Sequence, residues 1–210
     1  FEAKSKINSL RIDKIGDEFN IQYVLLGGGD EYERIEEIKA TNASYILPIN
    51  FPDAYDIEDV YSANILQLSD MREWNQRPSN LSQFEENGIQ FAITTEGLKS
   101  PNNLKTNIKK AIDHGLSKSK ALEALTSIPA KLIGRDDVLG YLKKGYLANF
   151  LITSGELFED NSASFSKLKT SNFTYLGRAD NIPISSDNKL SSNLCSSPCR
   201  SSDQSACFHT

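Results

Sequence analysis

Three short apolar runs constrain this chain more than anything else in it: IQYVLL at 21–26, SYILPINF at 44–51 and IQFAIT at 89–94. Each is strand-length, is bounded by turn residues and is rich in β-branched or aromatic side chains, the pattern of a strand buried on both faces. Gly27-Gly28-Gly29 closes the first run, Pro52 stops the second and Gly88 precedes the third. Helix-length segments lie between them. Strands joined by crossovers of that length run parallel, so the chain predicts an α/β fold built of βα units.

The intervening segments support the same reading. Residues 6–19 carry Ile7, Leu10, Ile15 and Phe19 on one broad apolar face, which predicts a helix that Asn20 ends. Asp30 is expected to cap a helix over 31–40, with Tyr32, Ile35 and Ile38 inward and Glu33, Glu36 and Glu37 outward. A helical pair is expected over about 57–69 and 79–87. Leu104, Ile108, Ala111 and Ile112 define a further helix closed at His114-Gly115. Ser117 then caps one that buries Ala121, Leu122 and Leu125.

After Leu98 the pattern changes. Helices are followed by a hairpin around Gly140 and Gly145, an apolar strand at 147–152 (LANFLI) and one more candidate strand at 173–177 (FTYLG). Residues 183–210 hold nine serines and all three cysteines, and read as a disordered or non-native tail.

Composition excludes some partners. At 210 residues, 39% of them hydrophobic, the chain can bury one ordinary core. A formal charge of −5, with both signs interleaved, argues against nucleic acid. No run reaches membrane-spanning length, and FEAKSKINSL lacks the apolar core of a signal peptide, so no membrane partner is expected. Phe1 in place of an initiator Met leads us to expect a start inside a longer gene product or after processing. Cysteine usage does not fix a compartment.

The residues of the second half occur in a distinctive order: Gly115-Leu116-Ser117, Ala121-Leu122, Thr126, Pro129-Ala130, Gly134, then Gly140-x-Leu142-x-x-Gly145-x-x-Ala148-Asn149. Upstream stand Phe1-Glu2-Ala3, LLGGGDEYERI (25–35), YILPINFP (45–52) and FAITTEG (91–97). Over about residues 1–155 this order resembles the end of the catalytic barrel of the amidohydrolase superfamily, especially its imidazolonepropionase-like branches. The resemblance implies a partial (β/α)₈ TIM barrel, its last strands and helices, running into part of a small β-domain. The implied division is 1–135 for the barrel portion, 136–182 for part of a composite β-domain and 183–210 for the tail.

The resemblance also implies hydrolysis of non-peptide C–N bonds, amide or cyclic amide, in a small-molecule substrate by metal-activated water. A complete amidohydrolase takes His-x-His from strand 1, a bridging Lys or similar group from strand 4, His from strands 5 and 6 and Asp from strand 8. There they hold zinc or another divalent metal at the barrel mouth. This sequence has no His-x-His. Glu2 stands at the strand-5 His position, Gly27 or a neighbour at the strand-6 position and Glu96 at the strand-8 Asp position. Glutamate reaches roughly 1.5 Å further than aspartate, one more C–C bond.

Glu96 is therefore the candidate catalytic residue, as ligand or proton acceptor, beside the reading that it is an acidic loop residue. No metal ligand is assigned, and no metal is expected on this segment alone. The alternative function is a non-catalytic, amidohydrolase-like binding or scaffolding domain.

Other features have plainer readings. His114 ends a helix, where a cation meets the negative end of the dipole. Gly27-Gly28-Gly29-Asp30 reads as a tight βα turn or as a phosphate cradle, although it lacks the Gly-x-Gly-x-x-Gly spacing. Cys195, Cys199, Cys207 and His209 only loosely resemble a zinc knuckle. Trp74, in a polar loop, lines a ligand mouth or covers a barrel edge. Inward-facing Val24, Ile46 and Ile93 are expected to lack an opposing layer, which makes a homo-oligomer an expected consequence.

Overall fold

The computed structural model describes residues 1–147, 149–153, 155–159, 165–168 and 176–177. The three apolar runs form β1 (Val24–Leu26), β2 (Ser44–Pro48) and β3 (Phe91–Thr94), a parallel sheet in the order β1-β2-β3. Register pairs Leu25 with Tyr45, Tyr45 with Phe91, and Leu47 with Ile93. Residues 1–3 add a fourth ribbon. The Leu26 N–H donates to the Phe1 carbonyl and the Ala3 N–H to the Leu26 carbonyl, both at 2.7 Å, so Glu2 bridges Leu26 in parallel. Four parallel ribbons thus lie side by side in chain order.

Helix α1 (Lys6–Phe19) starts at Ser5, whose hydroxyl accepts the Asn8 N–H, and ends at Asn20. Asn20 takes φ 53°, a left-handed conformation that asparagine tolerates better than most residues. The expected apolar face is partly wrong: Ile15 and Phe19 are exposed, and α1 instead buries Ser9 and Gly16. The reason is close approach. A Cβ on Gly16 would stand 2.5 Å from the Ile21 carbonyl and 3.1 Å from the Tyr23 ring.

The helix expected over 31–40 forms as a 3₁₀ turn (Glu31–Arg34) continuing into α2 (Ile35–Ala40), with Ile38 buried and Glu33, Glu36 and Glu37 outward. Asp30 does not cap it. Its carboxylate accepts the Lys6 backbone N–H at 2.8 Å and pairs with the Lys6 ammonium at 3.4 Å, tying β1 to α1.

Between β2 and β3 the expected helical pair resolves into α3 (Val60–Ile65), α4 (Leu68–Gln76), a 3₁₀ turn (Arg77–Ser79) and α5 (Asn80–Glu86). Trp74 therefore sits on a helix, not in a loop. Its ring faces the Lys110 ammonium at 5.5 Å, which also lies 5.7 Å from the Phe51 ring. Then follow α6 (Asn103–Asp113), α7 (Lys118–Leu125) and α8 (Ser127–Leu132). Ser117 caps α7 as expected, its hydroxyl accepting the Lys120 N–H. Helix α7 buries Ala121 and Ala124, while Leu122, expected inside, is exposed.

Helices cover one face of the sheet. Leu25, Tyr45, Leu47 and Phe91 are fully buried there, against Ile38 of α2, Leu81 and Phe84 of α5, and Ile108 of α6. Phe84 sits edge-on to both Tyr45 (5.2 Å) and Phe91 (5.8 Å). Burial pushes the Tyr45 phenol up to about 12. The opposite face carries Val24, Ser44, Ile46 and Ala92 in register. Ile93 belongs to the covered face, since it pairs with Leu47; grouping it with Val24 and Ile46 was a phase error of one residue.

Gly140 docks the following hairpin onto α8. At φ 89°, a Cβ there would lie 2.9 Å from the Ser127 Cα and 3.0 Å from the Ala130 Cβ. Leu147 closes the loop by donating to the Val138 carbonyl at 2.9 Å. The chain then enters a second, antiparallel sheet of β4 (Phe150–Thr153), β5 (Phe165–Leu168) and β6 (Leu176–Gly177). Of the strand expected at 173–177, residues 173–175 lie outside the described residues, as does the whole 183–210 tail with Cys195, Cys199, Cys207 and His209.

Candidate active site at the C-terminal ends of the parallel strands

The end of each parallel ribbon points the same way, and a cleft of about 240 Å³ lies there. Its lining comes from all four: Glu2 and Lys4 from the first, Gly27 and Gly28 after β1, Asn50 after β2, and Glu96 and Gly97 after β3. Glu2, Leu26, Ile46 and Ala92 fall in one register layer, which sets Glu2 on the face of the sheet opposite Tyr45 and Phe91; that face is half-buried at Leu26 and Ile46 and buried at Ala92. The two acidic positions singled out in the sequence thus line one cleft. Both are exposed, and Glu2 pairs with Lys4 at 3.6 Å.

Glu96 follows a tight turn in which its N–H donates to the Thr94 hydroxyl at 3.2 Å. Gly97 is needed beside it: φ is 75°, and a Cβ would meet the Asn50 side-chain nitrogen at 2.3 Å. Asn50 and Gly97 also bound a second cleft of about 340 Å³, lined further by Arg77, Lys99, Asn103 and Asn107.

The glycine turn is not a phosphate cradle. The Glu31 carboxylate, fully buried, already accepts the Gly28 N–H at 2.7 Å and the Gly29 N–H at 3.0 Å. Asn80 donates to the same carboxylate at 2.9 Å and accepts the Tyr32 N–H at 2.8 Å. Arg77 completes the bracket by donating to the Gly28 carbonyl at 2.6 Å while paired with Glu73. Burial raises the Glu31 carboxyl above its ordinary range; the backbone and Asn80 donors oppose that shift without cancelling it. An internal carboxyl group therefore holds the two donors that a phosphate would need.

His114 takes the structural role. It ends α6, with Nδ1 2.7 Å from the Lys110 carbonyl, and its own carbonyl accepts the Ser82 hydroxyl. Trp74 lines neither cleft. Sequence reasoning missed Glu31, Asn80, Arg77 and Asn50. An acid two residues beyond a glycine turn is a signal for Glu31. Nothing local marks Asn80 or Arg77, each 49 residues from its partner.

Metal ligation needs more than this cleft offers. Among the described residues no three His, Cys, Asp or Glu side chains gather as a ligand set. Two carboxylates without an imidazole do not fit the zinc chemistry of structural or catalytic sites. Also among the described residues, no helix is long and apolar enough to cross a membrane.

Comparison with known proteins places this geometry. No curated protein matches the chain. Solved structures do: an amidohydrolase from Thermotoga maritima MSB8 (18% identity, TM-score 0.57, 75% of this chain and 38% of that one). A prolidase complexed with N-methylphosphonate-L-proline is also similar (14%, 0.57, 83% and 44%). So is a Xaa-Pro dipeptidase with bound methionine in its active site (16%, 0.52, 82% and 49%). At such identities the likeness is one of fold, and the chain spans less than half the length of each. The model of the amidohydrolase family, whose fold is of the TIM-barrel type, matches residues 30–182. The chain therefore belongs to the amidohydrolase family.

Proposed function

We propose that residues 1–135 are the closing arc of a (β/α)₈ barrel, that 136–182 contribute to a composite β-domain, and that the cleft between Glu2 and Glu96 is part of a mouth where a small amide or cyclic amide is hydrolysed. One observation carries this reading: the cleft is lined from the C-terminal end of every parallel ribbon, where barrel enzymes place their reacting groups. The prolidase and the Xaa-Pro dipeptidase among the structural neighbours support a C–N bond as the target.

Members of this family are in general metal-dependent. Since Glu2 and Glu96 alone do not make a ligand set, the role proposed for Glu96 is that of proton acceptor from the attacking water. An exposed carboxylate with no cation partner among the described residues is free to take it. The same two replacements support a second reading, in which the mouth binds a ligand or partner without chemistry.

The test uses the longest expressed form of the protein that carries these residues, assayed for amide and cyclic-amide hydrolysis and for bound zinc. Glu96→Gln is expected to lower kcat/KM by about 10²–10⁴-fold, the usual worth of a general base, with the melting temperature unchanged. Full turnover in that variant removes the role from Glu96. A folded, inert protein that still binds small amides supports the second reading. The 210-residue chain by itself is expected not to hydrolyse, because its described residues bring only two carboxylates to the cleft.

A further inference from the structure

The segment 55–71, which runs through α3 into the first turn of α4, presents large apolar side chains to solvent: Ile57 (68% exposed), Tyr61 (81%), Ile65 (78%) and Leu68 (60%). The four lie on α3 or flank it in the chain. Tyr61 and Ile65 are four residues apart on α3, and the Tyr55 hydroxyl donates to the Asp70 carbonyl, folding the start of the segment onto its end. Exposed apolar surface on this scale marks an interaction site. The segment holds four acids and no base. That charge rules against anionic lipid or nucleic acid as the occupant, since both repel carboxylates.

The complement is on the same chain. Residues 131–147 expose Ile133 (66%), Leu142 (74%) and Leu147 (52%), and carry four bases against two acids. Lys143 lies over the Tyr141 ring at 4.5 Å, and Lys144 has no anionic partner among the described residues. One surface is apolar and acidic, the other apolar and basic. We propose that the 55–71 surface of one copy docks on the 131–147 surface of a second copy, with Glu58 facing Lys144. Apolar contact supplies the affinity and opposite charge the pairing. Each segment is smaller than the about 20–30 residues of a standard interface, so association in the micromolar range is expected.

Sedimentation velocity on the 210-residue chain, up to about 200 µM, tests this. The wild type is expected to self-associate, and Glu58→Lys and Lys144→Glu each to weaken association at least about tenfold at an unchanged melting temperature. The double variant, with the pair reversed, is expected to recover to within about threefold of wild type. A wild type that stays monomeric overturns the proposal. So do single variants that associate as before, and a double variant that fails to recover, which would mean that something other than this second surface covers 55–71.

Discussion

Replacing Glu31 by Ala is expected to cost about 3–5 kcal/mol of folding stability, as for a broken buried charge network. The loss is not that of one contact. The Gly28 and Gly29 N–H groups and the Asn80 amide all end on this carboxylate, which is itself fully buried. Removing it strands three donors at once, and stranded donors cost more than the bonds contributed. For a domain of this size the melting temperature should fall by roughly 10 °C, with the urea m-value unchanged. A loss below about 1 kcal/mol would mean that water enters the turn and satisfies those donors.

Acid–base linkage gives the same residue a second signature. Burial raises the Glu31 carboxyl in the folded chain, so folding takes up a proton between the unfolded and the folded value. Its contribution to stability is thus fully present below the unfolded value and declines as pH rises through the folded one. Glu31→Gln, which cannot titrate, should lack that decline. Subtracting the two stability–pH curves isolates it from Asp30, Glu73 and the other surface carboxylates, which both proteins share.

Glu31 also shows where reading the sequence stops. The runs 21–26, 44–51 and 89–94 announced the sheet because each is a strand-length, mainly apolar stretch punctuated by turn residues, as a largely buried parallel strand requires. Glu2 and Glu96 were singled out through the order of motifs around them, and both line one cleft. What escaped depends on partners far along the chain. Asn80 and Arg77 look like surface residues until α5 and the preceding 3₁₀ turn carry them across to the glycine turn. Helices misled in a related way. Ile15, Phe19 and Leu122 looked like core by hydrophobicity, yet α1 and α7 approach their neighbours through Gly16, Ser9, Ala121 and Ala124. A close approach selects small residues and leaves larger ones outside.

The two faces of the sheet should respond unequally to truncation. Phe84→Ala is expected to cost about 3–5 kcal/mol, the range for deleting a buried aromatic ring. Phe84 is fully buried and edge-on to both Tyr45 and Phe91, so the hole opens where three rings meet and cannot collapse without moving β2 or β3. Ile46, one residue along β2 but on the opposite face, is only partly covered, and Ile46→Ala should cost about 1 kcal/mol. The contrast bears on the barrel proposal. An arc that lacks its opposing side chains has one expensive face and one cheap one, whereas a closed interior would make both expensive. Equal losses at Phe84 and Ile46, measured by urea unfolding at a concentration where the chain is monomeric, would show that something in the chain already covers the open face. The sheet would then be complete as it stands, and the reading of the Glu2–Glu96 cleft as one part of a larger mouth would fail with it.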